Sequence, residues 1–301
     1  MAKLKNLFSI TALYTLFSSC AYGPNISPFH FKTIKNQECK LGAVVSASPI
    51  ASDVGVAILK EGGNAVDAAI ATQLALAVVH PSAGNIGGGG FTIIHLKDGR
   101  NISIDYREMA PGKAFRDMYL DANGNPQMNL SQNSPLSSGV PGSVAGIFEC
   151  MQYAKLPFKK LIQSAIDLAE KGFVLAPGEA SSLNFIKNDL IKMNKVAPVF
   201  VKSSPWKTGD TLVQKDLANT LKRIRDFGAK GFYEGETAKL IAQQMKSDNG
   251  IITGEDLKNY KAKNRAPILF DYKGNTVVSM PLPSSGGIIL EQMLKMSTME
   301  N

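Results

Sequence analysis

The sequence predicts an α+β fold, and three observations support this prediction. Asp98-Gly99 and Lys273-Gly274-Asn275 each separate two short stretches rich in β-branched and aromatic residues, which indicates two β-hairpins. Several segments between these hairpins have apolar residues at helical spacing. Strands and helices do not alternate, so the pattern favours antiparallel strands with segregated helices over a doubly wound nucleotide-binding fold.

The composition is that of a globular protein. The chain has 301 residues, of which 44% are hydrophobic and 19% charged, so it is long enough to bury a sizeable core. The net charge of +8 is spread thinly, without a block of five like charges. Nucleic acid is therefore a poor candidate partner, whereas the basic character would modestly help to attract an anionic substrate.

The first 21 residues have the features of a secretory signal peptide. Two lysines precede a short apolar stretch, 7–17, and Ser19 and Ala21 have the spacing of a signal-peptidase site. The apolar stretch is too short to span a bilayer comfortably. We therefore predict a signal peptide over 1–21, and no membrane span.

Cleavage there would leave 22–301 as one mature region, exported to the periplasm or secreted. Lipid anchoring at Cys20 is the less favoured alternative, because Phe17 stands where a lipoprotein signal usually has leucine. Export would permit a disulfide between the remaining cysteines, Cys39 and Cys150. Free thiols, with Cys150 packed on a helix, are at least as good an interpretation.

In the mature chain, an irregular lead-in over 22–40 precedes a predicted strand and helix. The β-rich stretch 41–48 predicts a short strand. The helix that follows has Ser48 as its expected cap, Pro49 in its first turn, and Gly62 and Gly63 at its end.

The second predicted helix starts after Asn64, a good capping residue, and stops before Pro81. Asp67 lies in its first turn, where the helix dipole favours negative charge. The helix is apolar on nearly every side, which predicts that it is buried.

Four consecutive glycines, Gly87 to Gly90, precede the first hairpin. A phosphate-binding loop needs a strand, then glycines, then a helix, whereas here a helix precedes the glycines and a strand follows them. Two interpretations stay open. The glycines either supply positive φ angles, or they allow backbone or a ligand to approach closely.

The remaining predicted elements are helices, the second hairpin, and a last helix over 284–296. The apolar spacing predicts five helices between the hairpins, over 141–155, 158–172, 177–194, 216–228 and 235–247.

The sequence shows no familiar metal or nucleophile motif. The three histidines, His30, His80 and His95, lack metal-ligand spacing, and there is no G-x-S-x-G motif. The paired serines Ser137 and Ser138 are interpreted as a loop before a helix. We therefore predict neither a metal nor a cofactor.

Arg107 ends the first hairpin, beside Glu108 and before the break at Pro111. From the sequence alone, an ion pair with Glu108 or another surface carboxylate is the favoured interpretation. The alternative is a two-pronged clamp on the carboxylate of a substrate.

Three stretches together resemble the large-subunit half of the γ-glutamyltransferases, or glutathione hydrolases: "VVSASPIASDVGVAILKEGGNAVDAAIATQLALAVVHPSAGNIGGGGF", "DYREMAPGKA" and "SSGVPGSVAGIFE". Later pieces agree in order, namely "GFYEGETAKLIA", "GIITGEDLKNYKA" and "PLPSSGGIILEQML". The resemblance therefore runs from residue 40 to residue 295.

The resemblance implies an N-terminal nucleophile hydrolase with an αββα sandwich, made as a proenzyme that cuts itself into a large and a small subunit. The new N-terminal threonine of the small subunit would attack the γ-glutamyl amide of glutathione or a related compound, with its own α-amine as base. Water or an amino acid would then accept the γ-glutamyl group. In the family, the arginine of the "REMAP" motif holds the α-carboxylate of the substrate, so the resemblance implies this role for Arg107. It also implies that the glycines allow close packing nearby.

The sequence departs from the family pattern at one point. The Thr-Thr-His that starts the small subunit does not occur in it. The resemblance thus places the nucleophile beyond Asn301, leaves the sandwich incomplete, and makes the missing small subunit the expected partner. The chain alone is expected to be inactive and poorly folded, with open strand edges and an uncovered apolar helix from Ala65 to His80.

Two other classes of protein are alternatives. A periplasmic binding protein for amino acids or peptides would fit the export signal, the α+β content and an anion-holding arginine. It would show repeated strand–helix alternation, which this sequence lacks. A non-catalytic remnant of a broken transferase gene is the other alternative.

Overall fold

The computed structural model describes residues 38–298. The chain divides into two units, Met1–Gly42 and Ala43–Asn301. In the first unit, the described residues 38–42 contain no helix or strand. The predicted signal peptide over 1–21 and the lipidation alternative at Cys20 lie outside the described residues.

The second unit contains helices and short strands, which confirms the α+β prediction. Its helices are α1 Pro49–Lys60, α2 Ala65–Val79, α3 Met128–Asn133, α4 Ser143–Cys150, α5 Phe158–Lys171, α6 Pro177–Met193, α7 Lys215–Phe227, α8 Lys230–Tyr233, α9 Gly235–Ser247, α10 Gly254–Asn259 and α11 Gly286–Met296. Its strands are β1 Phe91–His95, β2 Asn101–Asp105, β3 Phe173–Val174, β4 Thr211–Leu212, β5 Lys263–Arg265, β6 Ile268–Tyr272 and β7 Asn275–Ser279.

Helix α2 begins as the sequence predicts. The Asn64 side chain accepts hydrogen bonds from the backbone N–H groups of Val66 and Asp67, and Asp67 accepts one from Asn64 in return. The Asp67 carboxylate also accepts the backbone N–H groups of Lys155 and Leu156. One fully buried carboxylate therefore caps α2 and fixes the chain that enters α5.

The prediction that the Ser48 side chain caps α1 is wrong. Pro49 is in the first turn as predicted, but the Ser48 side chain makes no capping hydrogen bond. Its hydroxyl is buried, and it has no partner among the described residues. The end of the helix is as predicted, because Gly62 takes a φ of 89° just beyond it.

The predicted strand over 41–48 does not form. These residues are neither strand nor bridge, and Val45 is 92% exposed. A valine-rich stretch becomes a strand only when a neighbouring strand supplies hydrogen bonds, and none within 38–298 pairs with it.

Helix α2 lies at the centre of the helical layer. It packs against α1 on one side and α5 on another, and α5 in turn packs against α7. Most of its side chains are buried, as predicted. The expectation that this helix would lie uncovered is therefore wrong, because neighbours from the same chain cover it.

The sheet beside this layer carries the first hairpin. Strands β1 and β2 are antiparallel, and Gly99 in their turn has a φ of 87°. Strand β5, which was not predicted, adds to the other edge of β2. Helix α4 packs on β2 and joins the sheet to α2.

The second hairpin and the last helix form as predicted. Strands β6 and β7 pair across Lys273 and Gly274, which have φ angles of 49° and 79°. Helix α11 packs against β6. Within residues 38–298, we find no helix with both the length and the hydropathy needed to cross a bilayer.

Candidate functional site

Arg107 lies two residues beyond the end of β2, with an exposed side chain. Among the described residues its guanidinium makes no hydrogen bond and no ion pair. The ion pair with Glu108, favoured by the sequence alone, is therefore not formed. A guanidinium that the protein leaves unpaired is available to an anionic ligand.

The backbone of Arg107 is held on both sides. Its N–H donates to Oδ1 of Asp105 at 3.0 Å, and its carbonyl accepts the hydroxyl of Tyr260 at 2.7 Å. Asp105 is only 6% exposed, and its other oxygen accepts Nε of Arg265 at 2.7 Å. The side chain of Arg107 therefore extends from a backbone that hydrogen bonds hold in place.

A cavity of about 250 Å³ opens beside Arg107. Its walls come from the end of β2 and from the segment that runs through β5. The lining residues are Asp105, Arg107, Glu108, Met109, Tyr260, Lys261, Lys263, Arg265 and Pro283.

The charges of this cavity are unbalanced. Four cationic and two anionic side chains line it, and the Asp105–Arg265 pair cancels one of each. Lys261 and Lys263, like Arg107, have no ion-pair partner among residues 38–298. The cavity is therefore suited to a ligand that carries carboxylate groups.

The glycine run packs closely against the segment that carries Arg107. A Cβ atom on Gly89 would come within 2.6 Å of the Tyr106 carbonyl oxygen and 2.7 Å of the Glu108 nitrogen. A Cβ on Gly90 would come within 2.8 Å of the Tyr106 ring. No residue of the run has a positive φ, so close approach is the right interpretation and the positive-φ interpretation is wrong.

Tyr106 anchors the segment that carries Arg107 by packing and hydrogen bonds in the core. Its ring packs over Gly146 of α4, where a Cβ would lie 2.2 Å away. Its backbone exchanges hydrogen bonds with Gly90, and its hydroxyl lies 3.1 Å from Oγ1 of Thr92. At Gly142 a Cβ would lie 1.9 Å from the Tyr106 carbonyl oxygen. Glycines from two segments therefore make room for the residue that precedes the arginine.

Cys150, Ser137 and His95 show no sign of an activated nucleophile. Burial raises the pKa of the Cys150 thiol to about 11, so this free thiol stays protonated at neutral pH. The Ser137 hydroxyl donates to the Ser134 carbonyl, and Ser138 lies between a 3₁₀ helix and α4 as the predicted loop. His95 pairs with Asn101 on the sheet. No cluster of three metal-ligating side chains occurs in residues 38–298.

The sequence identifies Arg107 as a site residue, but not the residues around it. Tyr260 and the cationic residues after it lie in the stretch "YKAKNR". Its first three residues were used only as part of a motif that resembles the family. Lys261, Lys263 and Arg265 are spaced by two, so on an extended chain they share one face. That spacing was the signal that could have identified a basic strand.

A larger cavity, of about 750 Å³, lies elsewhere, between the end of α2 and the start of α7. Its walls are mainly apolar, and they include Ile86, Val199, Phe200 and Leu217. None of its lining residues lines the cavity beside Arg107. Because its surplus positive charge can attract an anionic ligand, the smaller cavity is the better candidate for an active site.

Comparisons with known proteins identify the family of the chain. A family model described as gamma-glutamyltranspeptidase matches residues 51–301. The glutathione hydrolase proenzyme of Escherichia coli (strain K12) is 47% identical over 277 residues, which are 91% of this chain and 47% of that protein. The chain thus spans about half the length of the curated relatives it matches.

Two solved structures are similar over most of the chain. The gamma-glutamyltranspeptidase of Helicobacter pylori matches with a TM-score of 0.84 and 46% identity, over 86% of this chain and 75% of that one. The enzyme of Pseudomonas nitroreducens, complexed with L-DON, matches with a TM-score of 0.78 and 44% identity, over 85% and 75%. These similarities confirm the predicted fold class, that of the N-terminal nucleophile hydrolases.

Proposed function

The chain belongs to the γ-glutamyltranspeptidase family, an enzyme family, and from that premise we propose that it forms the carboxylate-binding side of an active site for γ-glutamyl compounds. The complete protein would hydrolyse glutathione and related γ-glutamyl amides, and would transfer the γ-glutamyl group to amino acids. Arg107 would hold the α-carboxylate of the glutamyl group.

One observation carries this proposal, the unpaired guanidinium of Arg107 in a cavity with surplus positive charge. An arginine offers two parallel N–H groups that match the two oxygens of a carboxylate. The protein leaves this arginine without an internal partner among the described residues and fixes its backbone instead. Such an arrangement costs little reorganisation when an anion binds.

The chemistry needs a nucleophile from outside these residues. We infer that a threonine of a partner segment supplies its hydroxyl, as in the family. The hydroxyl oxygen would bond to the γ-carbonyl carbon, and the amide C–N bond would break. The leaving amine would take the proton, and a γ-glutamyl ester would remain. Water would then release glutamate, or an amino acid would accept the γ-glutamyl group.

The partner and the location belong to the same proposal. The word proenzyme in the names of the E. coli and Bacillus subtilis relatives supports synthesis as a precursor that is cut into two subunits. The signal-like first 21 residues support export to the periplasm or secretion.

The test is catalysis by the complete, self-cleaved enzyme that contains these residues. It should release a coloured amine from a γ-glutamyl anilide, faster when an acceptor dipeptide is present. Correctly processed enzyme that releases no amine would refute the proposal. Binding of free amino acids without turnover would instead favour the binding-protein alternative.

A further inference from the structure

The segment that contains α10 and β5 contacts the Arg107 segment at three points. The carboxylate of Asp256 accepts the backbone N–H of Gly112 at 2.8 Å. The hydroxyl of Tyr260 donates to the carbonyl of Arg107 at 2.7 Å. Nε of Arg265 donates to Asp105 at 2.7 Å. All three of these side chains lie within 253–265, so one short segment braces residues 105–112.

The backbone of Arg107 is held by side chains and not by the sheet. Strand β2 ends at Asp105, so Arg107 lies outside the ladder and its backbone groups have no sheet partner. Both are satisfied by side chains instead, the N–H by Asp105 and the carbonyl by Tyr260. A small rotation of this backbone would move the far end of the long arginine side chain by much more.

Tyr260 is itself held firmly. Its ring stacks on Tyr233, with centroids 5.9 Å apart and planes at 5°. The Tyr233 hydroxyl donates to the Pro141 carbonyl at 2.8 Å and accepts the Ala145 N–H at 3.1 Å. Burial, reinforced by the charges of Asp105 and Glu108, raises the pKa of Tyr260. Its hydroxyl therefore keeps its proton and donates throughout the neutral range.

We propose that Tyr260 and Asp105 are positioning residues for Arg107, and that their hydrogen bonds to its backbone set the affinity of the site for the substrate carboxylate. This inference rests on the proposed function, because it assumes that Arg107 binds that carboxylate. It assigns a positioning role to two residues that take no part in the reaction, and neither needs to touch the substrate.

The test is Tyr260→Phe in the complete, self-cleaved enzyme, because this change removes one hydroxyl and keeps the ring stack. KM for a γ-glutamyl anilide should rise roughly two- to tenfold, the range of one hydrogen bond, with kcat little changed. Tyr119→Phe is the matched control, because its hydroxyl also donates to a backbone carbonyl, that of Leu136 at 3.0 Å. That control should keep the wild-type KM.

A double-mutant cycle separates positioning from general destabilisation. In an Arg107→Ala background, Tyr260→Phe should raise KM no further, because the side chain that it positions is gone. An equal rise in both backgrounds would overturn the inference, as would an unchanged KM in Tyr260→Phe or a similar rise in Tyr119→Phe.

Asp105 gives a second series with a conservative rescue. Asp105→Ala should raise KM, and Asp105→Asn should restore part of the loss, since its amide oxygen can still accept the Arg107 N–H. Equal KM values for the two variants would argue against positioning by this side chain. An inactive wild-type enzyme would refute the proposed function itself, whereas an active one with an unaffected Tyr260→Phe variant would refute only this inference.

Discussion

At the scale of single residues, the role proposed for Arg107 suits a guanidinium better than an ammonium group. A guanidinium presents two N–H groups in a fixed plane, whereas an ammonium is a compact point charge. The braced backbone of Arg107 preserves that geometric advantage. Lysine at the same position would retain the charge and lose the two-pronged contact.

We therefore predict that Arg107→Lys rescues only part of the loss in Arg107→Ala. The alanine variant should lose about ten- to a hundredfold in kcat/KM for a γ-glutamyl anilide, the range expected for a charge-assisted hydrogen bond. Steady-state kinetics of the self-cleaved enzymes measure both. Wild-type kinetics in Arg107→Ala would reduce Arg107 to a surface residue, and wild-type kinetics in Arg107→Lys would show that its charge alone suffices.

The sequence predicted the site only in part at this scale. Arg107 was identified because a motif resemblance named it, although its surroundings favoured an ion pair. Tyr260 could not be found in that way, since its role depends on a contact between residues 153 positions apart in the chain. At Ser48 the residue type misled the prediction. Serine is a good capping residue, but here its hydroxyl is buried and does not cap the helix.

At the scale of elements, the glycine run shows how sequence and packing differ. A methyl group added at Gly87 would meet open space, whereas one added at Gly89 would meet backbone atoms of Tyr106 and Glu108. The same residue type in the same run therefore meets different constraints.

We predict that Gly89→Ala lowers the free energy of unfolding by about 1–3 kcal/mol, because the added methyl group forces the backbone around Tyr106 apart. Gly87→Ala is the matched control, and it should be neutral or stabilising by less than about 1 kcal/mol. Urea unfolding of the complete protein measures both. Similar effects of the two variants would contradict the close-packing account.

In the first turn of α10, the pKa of Asp256 predicts how the stability of the protein depends on pH. Burial raises the pKa of Asp256, but hydrogen bonds from Thr253 and Gly112 outweigh this effect and hold it below its usual 3.8. A lowered pKa in the folded state stabilises the protein above pH 3.8, and the contribution is lost as the pH falls through the lowered value.

Wild-type protein should accordingly be more stable than Asp256→Asn at neutral pH. The difference between their free energies of unfolding should shrink on acidification below about pH 4. Denaturant unfolding of both proteins at a series of pH values measures it. A difference that stays constant into the acid range would show that the charge of Asp256 contributes nothing.

Long, regular elements were predictable, and short ones were not. The capping residue and the terminal proline of α2, the apolar spacing over α5 and α7, and the turn residues of both hairpins predicted those elements correctly. Helix α10 and strand β5 have six and three residues, too few to show a period. The strand expected over 41–48 failed because β-propensity needs a partner strand.

At the scale of the whole molecule, the exposed apolar surface is not where the sequence suggested. Helix α2 is covered, whereas α11 exposes a row of large apolar side chains, including Ile289, Leu290, Met293 and Met296. Such a row favours association with other apolar surfaces.

We predict that the isolated 301-residue chain binds a fluorescent apolar dye mainly at α11. Replacing Met293 and Met296 by lysine should lower the dye fluorescence more than the control Phe185→Lys, because Phe185 is an exposed aromatic residue on another helix, α6. Equal reductions would mean that the exposed surface of α11 is not the main binding site.

The central claim is that Arg107 recognises the α-carboxylate of a γ-glutamyl substrate. The most direct measurement compares two anilides in the self-cleaved enzyme, the γ-glutamyl compound and its 4-aminobutyryl analogue, which lacks only that carboxylate. Wild-type enzyme should strongly prefer the first by kcat/KM, and Arg107→Ala should lose most of that preference. A preference that survives undiminished in Arg107→Ala would show that the carboxylate is recognised elsewhere.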